Sequence, residues 1–139
     1  MNLLAELGSC LAYGVVGTLL MAVGYVIVDV LTPGKLHELI WTGRNKNATL
    51  IVAANTLGTA MVVFSAIMAS ESGLVNGLLS TAGYGMIGLV LMAAAFLMLD
   101  ALTPGKLGSI VAEAELHPAA WVNAAAHVSV ALVVAAAIS

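Results

Sequence analysis

Asp29 and Asp100 each stand three residues ahead of a Thr-Pro-Gly-Lys run. The two segments read Asp29-Val30-Leu31-Thr32-Pro33-Gly34-Lys35-Leu36 and Asp100-Ala101-Leu102-Thr103-Pro104-Gly105-Lys106-Leu107. A carboxylate there lies near the C-terminus of an apolar helical run, where it opposes the helix dipole and carries a desolvation cost. Three roles fit it. It can pair with Lys35 or Lys106 or accept hydrogen bonds from the backbone beyond the Pro-Gly break, hold a cation or proton, or contact a partner protein. The first asks least of the sequence.

A second set of polar residues falls inside the apolar runs. Asn55 with Thr59, and Asn123 with His127, are spaced i,i+4 and so share a helix face. His127 is the one titratable side chain well inside a run, and ionisable groups at that depth are functional candidates by default. A neutral histidine bonded across helices to Asn or Thr is also ordinary packing glue, and that reading is the simpler one.

No catalytic arrangement is visible: no nucleophile beside a base, no metal-ligand spacing, no glycine-rich phosphate loop. The expectation is a protein that is not an enzyme and has no cofactor or bound metal. With four basic residues in the chain, nucleic-acid binding is implausible.

The elements that position these residues follow from composition. Of 139 residues, 62% are hydrophobic and 8% charged, against about 25% charged in soluble domains. Such a chain cannot cover a water-facing surface, so the lipid bilayer is its partner and solvent. Leu7 to Leu31, Ala48 to Ala69, Leu74 to Leu102 and Pro118 to Ile138 are apolar runs, each meeting the roughly 20 residues that a spanning helix needs. Barrel strands would be segments of about ten residues with alternating polarity, and none occur. The fold expected is all-α, an integral membrane protein of four transmembrane helices. No Lys or Arg precedes the first run, so it is expected to remain as a span and not to be removed as a signal. Cys10 reads as a small packing residue within that span.

The chain is also written twice. An offset of 71 aligns it without a gap, with about 24 of 68 pairs identical. Ser9, Tyr13, Gly14, Gly17, Leu20, Met21 and Ala22 fall on Ser80, Tyr84, Gly85, Gly88, Leu91, Met92 and Ala93. Residues 1–71 and 72–139 are therefore expected to be two-span repeats of one membrane domain. Two spans per unit force both units into the same orientation, as parallel repeats about a pseudo-twofold axis along the membrane normal. The natural ancestor is a homodimer, and a homo-oligomer is expected now. Thr56 aligns with His127, so the second helix of each unit carries different polar residues. That argues against a symmetric pore lined by them.

Lys35, Arg44 and Lys46 lie between the first two runs and Lys106 between the last two. The positive-inside rule places both of these loops in the cytoplasm and both termini outside. Within the loops, Pro ends the helix and Gly permits the reversal. Leu36, Leu39 and Ile40 then recur at helical spacing, so a short interfacial helix is expected after each Thr-Pro-Gly-Lys turn. Asn47 is expected to cap the second helix, with Pro118 at the first turn of the fourth. Gly14, Gly17 and Gly24 form a small-residue stripe on the first run, and Gly85 and Gly88 recur in its copy. Such stripes let helices approach closely, within the chain or between copies. Tyr13, Tyr84, Trp41 and Trp121 suit the two membrane interfaces.

The two-span repeat and its Asp29 to Leu36 and Asp100 to Leu107 motifs resemble a bacterial membrane-protein family catalogued as domain of unknown function 350. The resemblance covers essentially the whole chain. It implies an inner-membrane protein with no assigned activity and a suspected role in envelope maintenance or membrane stress. Gly108-Ser109 replaces His37-Glu38 in the second unit, so a role for either of those residues would reside in one repeat. Two functions follow as expectations. One is an oligomeric scaffold or envelope component that presents its turns to cytoplasmic or membrane partner proteins. The other is a small ion or proton channel or transporter using Asp29, Asp100, His127 and Asn123.

Overall fold

The computed structural model describes residues 2–31, 38–102, 115–116 and 118–139. These residues form four long helices: α1 (Leu3–Leu31), α2 (Lys46–Met68), α3 (Leu74–Leu102) and α4 (Pro118–Ile138). All four are long and apolar enough to cross a bilayer. Without water to solvate peptide groups, only a fully internal hydrogen-bond ladder is tolerated there, and a helix supplies one. Thr32, Pro33, Gly34, Lys35, Thr103, Pro104, Gly105 and Lys106 lie outside the described residues, as does the second interfacial segment.

Local chemistry sets the helix ends. The Asn2 side chain accepts from the Ala5 N–H at 2.8 Å and opens α1. After α1, Glu38–Thr42 forms one π-helical turn, with the Gly43 N–H bonded to the Glu38 carbonyl at 2.9 Å. The first interfacial segment is thus a single wide turn. Arg44 at φ 49° redirects the chain into α2. Here the structure corrects the expected cap. Asn45, not Asn47, takes the extended cap conformation, and its side chain accepts from the Ala48 N–H at 3.0 Å. Asn47 lies inside the first turn, fully buried, and its Nδ2 donates to the Glu115 carbonyl at 3.0 Å. It ties the start of α2 to the segment ahead of α4. At the other end Ala69 closes α2 and Gly73 at φ 91° permits the tight turn into α3.

α2 is the centre of the bundle. It touches α1, α3 and the π turn, and packs most extensively on α4. α2 and α4 run parallel and in register, since Asn47 meets Glu115 at one end and Gly58 meets Ala131 further along. One apolar core joins Leu20, Val62, Leu89, Met92, Ala131 and Val134. A second, toward the Asn45 end, joins Val28, Ala48, Ile51 and Phe96.

The glycines show how closely the helices approach. A Cβ at Gly17 would meet Val63 and Ile67 of α2 at 3.3 and 3.8 Å. Gly88, 71 residues later, faces Val134 and Ile138, which are 71 residues beyond Val63 and Ile67. At this one glycine position α1–α2 and α3–α4 meet through aligned residues. Contacts between the two halves do not match in this way. Gly85 receives Leu20, yet Gly14, its aligned partner, has no neighbour within 4 Å of where a Cβ would stand.

Candidate functional site

The polar residues of the spans converge on one level of the bundle. Asn55 and His127, each 5% exposed, line the same small cavity, completed by α1 residues from Gly24 to Leu31 and α3 residues from Leu89 to Phe96. Its volume is ≈ 10 Å³, room for about one water. The level is set by chain position: Asn55 and His127 both lie nine residues beyond the first residue of their helices, about 13 Å at 1.5 Å per residue. His127 packs its ring against Phe96, centroids 4.9 Å apart and planes tilted by 47°. Thr59, one turn beyond Asn55, is buried because Gly24 leaves room for it; a Cβ there would stand 2.9 Å from Thr59 Cγ2.

Hydrogen bonding among the buried polar side chains of the spans is sparse. Thr59 Oγ1, Thr81 Oγ1, Asn123 Oδ1 and His127 Nε2 have no hydrogen-bond partner among the described residues. Elsewhere in the spans hydroxyls return to their own helix: Thr18 donates to the Gly14 carbonyl and Thr56 to the Val52 carbonyl, each at 2.8 Å. Asn123 is half-buried, so the pair Asn123–His127 faces inward less fully than Asn55–Thr59.

Asp29 and Asp100 are half-buried near the ends of α1 and α3. Asp100 stands four residues beyond Phe96, about 6 Å along α3, and the cavity lining on α1 runs from Gly24 through Val28 to Leu31, past Asp29. The carboxylates thus stand about one to two helical turns from the histidine, toward one end of the cavity it lines. Among the described residues no group of three His, Cys, Asp or Glu side chains converges as metal ligands would.

Of the stripe glycines, Gly17, Gly24, Gly85 and Gly88 are buried against neighbouring helices, whereas Gly14 and Cys10 face outward. Tyr13 reaches Ser70 across the turn after α2, with 3.4 Å between the oxygens. Trp41 and Trp121 are exposed at the opposite end, where Trp121 lines an open groove with Arg44 and Lys46. Sequence reasoning missed Asn45 as the cap, Asn47 as a tie between helices, and Phe96 as the wall of the histidine site. Asn45 did carry a signal, standing three residues ahead of the Ala48 N–H that it caps; Phe96 carried none.

A family model described as Domain of Unknown Function (DUF350) matches residues 2–138. The chain is similar to a UPF0719 transmembrane protein of Mycolicibacterium paratuberculosis, 38% identical over 127 residues, covering 91% of this chain and 84% of that one. UPF0719 transmembrane proteins of Mycobacterium bovis and Mycobacterium tuberculosis are each 35% identical over the same shares. No solved structure matches.

Proposed function

Because the chain belongs to the DUF350 family, we propose that it works as a multi-pass protein of a bacterial inner membrane, an oligomeric scaffold or envelope component without catalysis of its own. The carrying observation is the narrow interior that the described residues leave. The single chain has a cavity of ≈ 10 Å³ at its polar level, and a hydrated ion needs far more than the space of one water. What the chain offers instead is surface: at one end Arg44, Lys46 and Trp121 line an open groove, and Trp41 in the preceding turn is exposed. A membrane-stress role fits a protein whose basic end is available to partners.

The restriction of all four basic residues to the two Thr-Pro-Gly-Lys loops supports a cytoplasmic position for that end. A C-terminal alkaline phosphatase fusion is expected to be active and a C-terminal fluorescent protein dark. The opposite pair of results reverses the orientation.

One observation favours a second reading. Asn55 and His127 share a cavity near mid-span, as a relay for protons would require. Purified protein in liposomes is expected to give no proton or potassium flux, with Asp29→Asn plus Asp100→Asn making no difference. Flux that this double variant or His127→Leu abolishes would replace the scaffold with a channel.

A further inference from the structure

Contacts between the two halves of the chain follow one direction. Leu20 of the first repeat fills the space at Gly85 of the second, Val62 fills that at Gly88, and Gly58 lies against Ala131. Under a true twofold axis each contact would occur twice. Moving each pair by the 71-residue offset puts Leu91 on Gly14, Val133 on Gly17 and Ser129 on Ala60. Five of these six positions keep the residue type of their aligned partner, Ser129 for Gly58 being the exception.

Within one chain those shifted contacts are not made. Gly14 has nothing within 4 Å of a Cβ position. Leu91 is 47% exposed and Val133 70%. Residue pairs along the even helices show the same reversal. Ile51, Ala54, Gly58, Val62 and Ala66 are buried on α2, while their counterparts Val122, Ala125, Ser129, Val133 and Ala137 on α4 are exposed. Conversely, Ala120, Ala124, His127 and Ala135 are buried on α4, and Thr49, Ala53, Thr56 and Phe64 on α2 are exposed.

We propose that the exposed faces are the two halves of a head-to-tail contact between copies of this chain. The second repeat of one copy docks on the first repeat of the next, as the first docks on the second within the chain. The occupant is a second copy because the faces repeat, at five of six positions, the residues of a contact this chain already makes with itself. Gly14 and Ala60 are small residues of the kind that let helices approach closely in lipid; Gly17 is already partly covered by Val63 and Ile67, and Ser129 holds its neighbour further off than Gly58 holds Ala131. A contact of this kind is heterologous, so each copy keeps one free face of each kind until a ring closes. The rotation relating neighbouring copies is then twice the one relating the two repeats, about the membrane normal. This rests on the oligomeric reading above and specifies its interface.

Cross-linking in native membranes tests it, in a Cys10→Ser background. Two differently tagged chains, one carrying Ala60→Cys and the other Ser129→Cys, are expected to form a disulfide-linked heterodimer when co-expressed, with little homodimer from either alone. Gly14→Trp, which meets nothing inside the chain, is expected to abolish the heterodimer while the variant stays folded and monodisperse. Native mass spectrometry from lipid nanodiscs is expected to show a single closed multimer. Homodimers from one single-cysteine variant, with none in the mixture, would refute the head-to-tail contact and leave oligomerisation standing. A monomer by mass spectrometry would remove both.

Discussion

Gly58→Leu is expected to force α2 off α4 and to lower the stability of the chain by ~2 kcal/mol, a factor of about thirty in the folded-to-unfolded ratio. The first added carbon already stands 2.9 Å from Ala131 Cβ, 3.3 Å from Met92 Cε and 3.5 Å from the His127 carbonyl oxygen. Met92 can bend away, but the α4 backbone cannot, and three further carbons have to fit behind it. Overpacking of this kind typically costs about 1–3 kcal/mol. Leucine returns up to about 1 kcal/mol through its higher helix propensity, so the estimate rests at the upper part of the range before that gain. Gly83→Leu is the matched control, because nothing lies within 4 Å of its Cβ position and only the propensity gain applies. Unfolding in mixed micelles with increasing SDS compares the two. If both variants unfold with wild-type midpoints, close approach at Gly58 is not what joins α2 to α4.

His127→Ala is expected to cost ~3 kcal/mol and His127→Leu less than ~1.5 kcal/mol, by the same measurement. Removing the ring merges its volume with the ≈ 10 Å³ cavity and strips Phe96 of its neighbour. Large-to-small core changes of this size lose about 2–5 kcal/mol. Leucine restores most of the volume at the modest penalty of a shape change. It also removes a buried Nε2 that has no partner among the described residues, and deleting an unsatisfied polar atom is nearly neutral or favourable. The contrast separates two roles of the histidine. Leucine as harmful as alanine would mean that the polarity of the ring, not its bulk, holds this level of the bundle.

The helices were legible in the sequence because bilayer thickness sets a length that four apolar runs must meet, and the ends at Met68, Leu74, Pro118 and Ile138 fall within a residue of those runs. α1 begins earlier, at Leu3, since Asn2 caps a first turn of Leu3, Leu4, Ala5 and Glu6. Which face of each helix turns inward was not legible. In water the contrast between apolar and polar stripes marks the buried side; in lipid both sides are apolar and the mark disappears. Gly14 and Gly17 look alike in sequence, one exposed and one buried. The polar pairs fared better, because Asn55, Thr59 and His127 cannot face hydrocarbon cheaply, and all three are buried. Asn45 and Asn47 are chemically equal as caps, and only the preceding turn, closed between Asn45 N–H and the Leu39 carbonyl at 2.8 Å, decides between them.

The unequal spans have an elastic consequence. α1 and α3 each run 29 residues, against 23 and 21 for α2 and α4. At 1.5 Å per residue these are about 44 Å and about 32–35 Å, beside a hydrocarbon slab of about 30 Å. The even helices nearly match the slab, whereas the odd ones overshoot it and must lean, protrude or thicken the lipid around them. Hydrophobic mismatch therefore acts on one pair of helices and largely spares the other. Thinning or stretching the bilayer shears α1 and α3 against the α2–α4 pair, so the molecule converts membrane thickness into strain within its own helix packing.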